Sequence, residues 1–414
     1  MRVVVVSQYF WPEGFRVNDL VAGLVADGHR VDVLTGQPNY PAGRLFPGYG
    51  PLRPVRQSAF GARITRVPLI PRGNSTPARL AANYLSFAAS ASLLGPLLLR
   101  GRVDAVLVVG YSPLTVTIPA AVLGWVKRAP VVLWLQDLWP DTLRAMGLLR
   151  RPWLDRAATA ASAWLHRRME RVLVQSEAFR GPLLAQGVRT EAISYAPNWA
   201  EEEFVPVSVP EDAPERAEVP QGFVLMFAGN LGSAQGLETL VQAAEATRGL
   251  PDLHWVVLGD GSRAGWLADE VRKRDLGRTV HLPGRRTAES MPTWFALADV
   301  MVVTLQPAPV FALTIPSKVQ AYLACGRPVL AALDGEGARV VRASGCGVTV
   351  DAGDGEALAA GARHLYGLGV DERAELGRRA RRYYSAEFDR RKTVRHIADV
   401  LVDVAQKAEV TACA

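Results

Sequence analysis

Residues 3–6 are four valines in succession. The run is too short for a helix and lacks the alternation of a half-exposed strand, so it predicts a strand buried on both faces. Polar residues and Gly14 follow, then apolar positions at helical spacing, Leu20, Leu24 and Val25, which Gly28 stops. A second strand at 31–34 closes residues 1–35 into one β-α-β unit, whose crossover is right-handed. Runs at 105–109, 131–135 and 171–174 repeat this grammar and predict a parallel sheet covered on both faces by helices.

Between Trp199 and Gly222 the pattern lapses into proline- and acid-rich sequence, the composition of an exposed linker. It then restarts with a strand at 223–227, the turn Gly229-Asn230-Leu231-Gly232, a helix at 237–244 and a strand at 255–258. Strands at 280–282, 300–304 and 329–332 continue the second sheet, and the chain after Asp351 is largely helical, with a last helix from Phe388 to Val404. The 414 residues exceed what one core supports. The expectation is α/β, two Rossmann-like doubly wound domains at 1–203 and 222–386, joined by 204–221, with residues 387–414 packing back on the first. Such sheets bind ligands outside the carboxyl ends of their strands, here in a central cleft that the two domains face.

Composition narrows the partners. Hydrophobic residues at 49% and charged residues at 21% describe an ordinary globular chain, and the net charge of +7, carried mostly by arginine, favours anionic partners. No cationic run is interleaved with stacking aromatics, so nucleic acid is not expected. The three cysteines are scattered, which fits a reducing, cytoplasmic compartment, and the first residues lack the apolar stretch of a secretion signal. Residues 81–99 carry no charge between Arg79 and Arg100, which leaves open a buried helix, one lying on a membrane surface and a span. A basic amphipathic helix is predicted from Arg150 to Arg171.

Candidate chemistry concentrates at strand ends. Gly14, with Arg16 two residues on, and Gly229 and Gly232 occupy the turns after the first strand of each half, where backbone N–H groups gather at a helix start and attract anions. Tight turns that demand positive φ would place glycine there as well. In residues 311–330, Pro316 suits a first helical turn with Thr314 or Ile315 at the cap. The N–H groups of Ser317 and Lys318 and the Lys318 ammonium would then meet a diphosphate, and Gln320 one turn on would reach a ribose diol. Asp137 ends the 131–135 strand beside Gln136, as an acidic candidate or as a turn cap.

The order Gly-Asn-Leu-Gly, Val-Leu-Gly-Asp-Gly, Val-His-Leu-Pro-Gly, then Pro-Ser-Lys and Tyr-Leu-Ala-Cys-Gly-Arg-Pro-Val resembles the C-terminal domain of family 4 glycosyltransferases. Ser-Gln-Tyr-Phe-Trp-Pro-Glu-Gly and Leu-Gln-Asp-Leu-Trp-Pro-Asp are similar to the branch that builds bacterial surface polysaccharides. The resemblance implies the GT-B fold and retaining, metal-independent transfer from a nucleotide sugar, UDP-linked, to a glycan or a polyprenyl-diphosphate-linked glycan, with peripheral membrane contact on the inner face of the cytoplasmic membrane. It implies Gly14 on the phosphate side, Gly284 at the base, Ser317 and Lys318 on the diphosphate, and Asp137 with Gln136 toward the acceptor. The family's two glutamates fall on Ala312 and Gln320, and its basic pair on Asn230 and Gln235, so the charge clamp is thinner here. A nucleotide-sugar epimerase on the same fold, or an inactive nucleotide-sugar-binding homologue, are the alternatives.

Overall fold

The computed structural model describes residues 1–52, 54–111, 113–145, 149 and 151–413. They form two compact units, Met1–Pro197 with Arg391–Ala414, and Asn198–Arg390. Residues 198–221 belong to the second unit, and particular contacts hold them there. The Ala200 N–H donates to the Tyr384 hydroxyl, Phe204 stacks on Phe295 with ring centroids 5.6 Å apart, and Glu202 pairs with Arg390.

The strands of the first unit are β1 (Arg2–Val6), β2 (Arg30–Gly36), β3 (Val55–Ala59), β4 (Ala62–Val67), β5 (Ala105–Gly110), β6 (Val131–Leu135), β7 (Arg171–Val174) and β8 (Ile193–Tyr195). They lie in the order β3-β4-β2-β1-β5-β6-β7-β8, parallel throughout except for the β3–β4 hairpin at one edge. Val3–Val6 pair with β2 on one side and β5 on the other, and all four valines have no exposed surface. Each contributes about 1.5–3 kcal/mol by leaving water, which is why the run reads so clearly in sequence. The strand order reverses between β1 and β5, the topological switch point where such sheets bind ligands.

The second unit holds β9 (Phe223–Ala228), β10 (Leu253–Leu258), β11 (Val280–Gly284), β12 (Val300–Thr304), β13 (Val329–Ala332) and β14 (Gly347–Val350). Their order is β11-β10-β9-β12-β13-β14, all parallel, with the switch point between β9 and β12. Apolar clusters cover both faces of this sheet.

Several helices differ from the sequence expectation. The uncharged segment belongs to a longer helix, Pro77–Leu98, which starts with proline in its first turn after Thr76. Gly95 is buried in it at a close approach to β2, where a Cβ would come within 2.8 Å of Leu34. The basic helix runs from Pro152 to Arg167; Arg150 lies outside the described residues. Phe388 closes the helix Val370–Glu387 and is buried in the core, so the last helix is Arg390–Cys413, packed in the first unit. Ala414 lies outside the described residues.

Candidate active site

In the second unit the turns after β9, β10 and β11 are stitched to one another through the backbone. Gly229 N–H donates to Leu258 O at 2.9 Å, Leu231 N–H to Asp260 O at 2.9 Å and Gly259 N–H to Gly284 O at 3.0 Å. Gly229 and Gly259 sit at φ +133° and +138°, and a Cβ on Gly259 would lie 1.8 Å from Gly229 O. Both glycines are required by conformation and by close approach. Gly284 is at φ +85°, whereas Gly232 has φ −96°. The turns line a cavity of about 460 Å³ with Asn230, Gly261, Arg285, Arg286 and Met291.

Lys318 reaches this region from the helix Ser317–Ala324. Pro316 is the capping residue itself, with extended ψ of 134°, and Thr314 lies before it with its hydroxyl on Phe311 O. This shifts the expected cap by one or two residues, because the proline ring fixes φ while leaving ψ free to enter the helix from outside. Ser317 is exposed as the first helical residue. Tyr322, buried on the inner side, takes the Ala228 N–H and donates to Ala228 O. It thereby fixes the end of β9 against the Lys318 helix.

The Lys318 ammonium lies 3.6 Å above the centre of the Phe227 ring and donates to Gln235 Oε1 at 2.5 Å. Gln235 is held in turn by its carbonyl, which accepts from the Thr304 hydroxyl at 2.6 Å on β12. Burial pulls the Lys318 pKa down from 10.5 to about 7. A cation on an aromatic face with a neutral amide for company is poised to gain from an anion. Gly229 leaves the space the lysine uses, since a Cβ there would meet Lys318 Cε at 2.7 Å.

Gln320 is not beside Lys318 in the cavity. It is 1% exposed and its amide donates to Asn198 O at 2.7 Å, because on a short helix two residues separate the cavity face from the core face. The expectation missed Arg285 and Arg286, although the Leu-Pro-Gly-Arg-Arg run that ends β11 was the available signal. Arg286 lies 5.0 Å over the Trp294 ring and pairs with Glu218, while its buried Nε has no hydrogen-bond partner.

In the first unit Gly14 is exposed, outside the left-handed region, with nothing near a prospective Cβ, so backbone strain does not explain it. Arg16 caps the helix Val17–Ala26. Glu13, 3% exposed, shapes this turn: its carboxylate accepts from the N–H groups of Phe10, Asn39 and Tyr40. Burial raises its pKa against the lowering effect of those bonds. Asp137 and Gln136 follow β6, and Tyr111 follows β5. Burial raises the Tyr111 pKa, with Arg16, Asp19 and Asp137 all within electrostatic reach of its hydroxyl. Tyr111, Arg16 and Asp137 all lie at the carboxyl end of the sheet, after β5, β1 and β6. The buried Gln136 Nε2 has no hydrogen-bond partner, and the nearby Gln175 donates to Gln136 O. No motif flagged Tyr111 in sequence, and Glu13 stood in the Ser-Gln-Tyr-Phe-Trp-Pro-Glu-Gly motif with no role attached to it.

Comparison with known proteins agrees in both halves. Residues 14–199 match the Glycosyl transferase 4-like domain and residues 222–367 match the Glycosyl transferases group 1 domain. The chain is 27% identical over 340 residues to WcaI of Escherichia coli (strain K12), named as a glycosyl transferase of colanic acid biosynthesis, covering 79% of this chain and 82% of the relative. It is 26% identical over 270 residues to WbjE of Pseudomonas aeruginosa, named as a glycosyltransferase, covering 63% and 66%. Among solved structures, HepE of Anabaena in complex with UDP and glucose superposes with TM-score 0.68 at 18% identity, covering 97% of this chain and 99% of that one. Sucrose-phosphate synthase of Thermosynechococcus elongatus superposes with TM-score 0.74 at 17% identity, covering 97% and 98%. Together the two domain matches and the paired doubly wound sheets place this chain in the family 4 glycosyltransferases, with the GT-B fold.

Proposed function

We propose that the protein transfers a sugar from a UDP-sugar, with retention of anomeric configuration and without a metal ion, to a glycan of a surface polysaccharide, including glycans carried on polyprenyl diphosphate. The observation that carries the donor assignment is the Lys318 ammonium beside Gly229 and Gln235, next to the cavity bordered by Arg285 and Arg286. The naming of WcaI for colanic acid synthesis supports the acceptor class, and the UDP in the HepE complex supports the nucleotide. The buried, unbridged Cys325 and Cys346 are in keeping with a reducing cytoplasm.

In this reading the second domain holds the donor diphosphate against the first turn of the Ser317–Ala324 helix, where N–H groups and the lysine meet its charge. The acceptor hydroxyl oxygen bonds to the anomeric carbon as the bond from that carbon to the diphosphate oxygen breaks. The hydroxyl proton passes to the departing diphosphate, on the same face. Lys318, Arg285 and Arg286 stabilise the charge that develops there, which is where electrostatic catalysis acts. Asp137 and Gln136 orient the acceptor, a positional contribution.

The test is UDP release from UDP-sugars with and without a lipid-linked glycan acceptor, alongside a thermal-shift screen of UDP-, GDP- and dTDP-sugars. Acceptor-dependent release supports transfer. Sugar interconversion without acceptor would instead indicate an epimerase, and binding without turnover on any acceptor an inactive homologue. Lys318→Ala should abolish the shift, and an unchanged shift would remove the proposed phosphate site.

A further inference from the structure

We infer that the acceptor glycan carries an acidic sugar, whose carboxylate is held by Arg72 and the tyrosines around it in the first unit. This rests on the transferase reading and names the substrate class of its acceptor side. Tyr9 follows β1, Tyr40 follows β2, Arg72 follows β4, and Tyr84 lies in the first half of helix 77–98. At the carboxyl end of the sheet the Arg72 guanidinium lies 5.9, 5.2 and 6.0 Å from the ring centres of Tyr9, Tyr40 and Tyr84.

Backbone contacts fix this cup. Arg72 N–H donates to Asn39 Oδ1 at 3.1 Å, and Gly73 N–H donates to Gly43 O at 2.7 Å. A Cβ on Gly43, at φ +74°, would lie 1.8 Å from Gly73 O, so the loops after β2 and β4 close on each other only with glycine there. The Glu13 carboxylate secures the first of these loops through the N–H groups of Asn39 and Tyr40.

The cup lacks a counter-charge. Arg72 Nη1 donates to the Tyr9 hydroxyl at 2.6 Å, while the buried Nε has no partner and no carboxylate among the described residues pairs with the guanidinium. Arg2 and Arg63, by contrast, share the Asp32 carboxylate. Burial raises the Tyr9 pKa, so its hydroxyl stays neutral, and Glu13 spends its oxygens on backbone N–H groups. The tyrosine faces attract the cation without neutralising it. A guanidinium offers five donors in a planar fork that matches an oxyanion, and here most of them await one.

The rings select which oxyanion. Tyr40 is 39% exposed, and Phe15 and Tyr111 continue from it with neighbouring centroids 5.2 Å apart. A sugar ring has C–H faces that pack on aromatic rings, and its carboxylate would meet the guanidinium. The diphosphate of a lipid carrier shares the charge but offers no such face.

Calorimetry with methyl glucuronide tests this, with methyl glucoside as its neutral twin and geranyl diphosphate as an oxyanion without a sugar. The wild-type protein should bind the glucuronide at least about tenfold more tightly than the glucoside, with a smaller margin in high salt. Arg72→Met should bring the glucuronide down to the glucoside's affinity, and Arg72→Lys should fall between, since an ammonium keeps the charge without the fork. UDP-sugar binding, circular dichroism and melting should stay near wild type in both variants, and the comparison of the two sugars on the wild type needs no variant. The inference is overturned if the wild type binds neither sugar, binds both equally, or keeps its preference in Arg72→Met. It is also overturned if geranyl diphosphate is the ligand preferred through Arg72, the oxyanion then belonging to the carrier. Loss of the transferase reading looks different: no UDP-sugar binds, while the glucuronide is still held through Arg72.

Discussion

Lys318 joins the electrostatics of the fold to the binding of the donor. Its pKa near 7 has one cause, burial, and an arriving diphosphate opposes that cause by supplying negative charge. Below about pH 7 the free protein already holds the proton, so affinity for a UDP-sugar is level. Above it, each binding event takes up a proton, and Kd rises by as much as about tenfold per pH unit. A UDP-sugar is the right probe, because its diphosphate is esterified at both ends and does not titrate in this interval. Lys318→Met keeps the stem over Phe227 and removes the charge, with a loss of ~1.5–3 kcal/mol, about ten- to hundredfold in Kd. Stability moves the other way. The folded pKa is depressed below 10.5, so the free protein is destabilised as pH falls from there to about 7, and the methionine variant escapes that cost. Calorimetric titration between about pH 6.5 and 8.5, with denaturant melts of the free protein, reads both effects. A variant that retains the wild-type pH slope, or that loses stability at neutral pH while binding normally, refutes the reasoning.

The remaining predictions address the parts around it. Gly229→Ala, forced to φ +133° with its Cβ at Lys318, should lose about 1–3 kcal/mol in denaturant melts and weaken UDP-sugar binding, whereas Gly14→Ala should leave stability unchanged. Arg286→Ala removes a cation from the cavity rim and should weaken UDP-sugar binding by about tenfold or more in calorimetry; retained affinity would separate that cavity from the donor site. His166 is fully buried with Nδ1 2.6 Å from Gln186 Oε1, and burial lowers its pKa. Its folded pKa being below 6.5, stability is present above that value and is lost as pH falls through it, by up to about 1.4 kcal/mol per pH unit. His166→Gln should flatten the slope of melts between about pH 7.5 and 5.5.

What could be read from sequence follows from burial. The strands β1, β2, β5, β6, β7, β9, β10, β12 and β13 are apolar runs covered on both faces, and sequence alone located them. The β3–β4 hairpin escaped because Val-Arg-Gln-Ser-Ala is a half-exposed edge and its turn is Phe60-Gly61, at φ 52° and 74°, without the usual Asn-Gly or Asp-Gly. β8 has three residues, and β14 only four, partly exposed along its whole length. Lys318 was legible from the proline and glycine that bracket its helix. Gln320 was not, because it stands two residues beyond Lys318, on the opposite side of the helix, and only packing shows which side faces inward. Tyr111 and Glu13 acquire their settings partly from segments distant in sequence, Asp137 for the one and Asn39 and Tyr40 for the other, so the local pattern gives neither a role.

The central claim is transfer from a UDP-linked donor, and the most direct measurement is product analysis after incubating the protein with a labelled UDP-sugar and a lipid-linked glycan. The account predicts UDP and glycosylated acceptor in equal amounts, the new linkage in the donor's anomeric configuration, and loss of both products with Lys318→Met. UDP-sugar that binds but yields no glycosylated acceptor, or a product of inverted configuration, would contradict it.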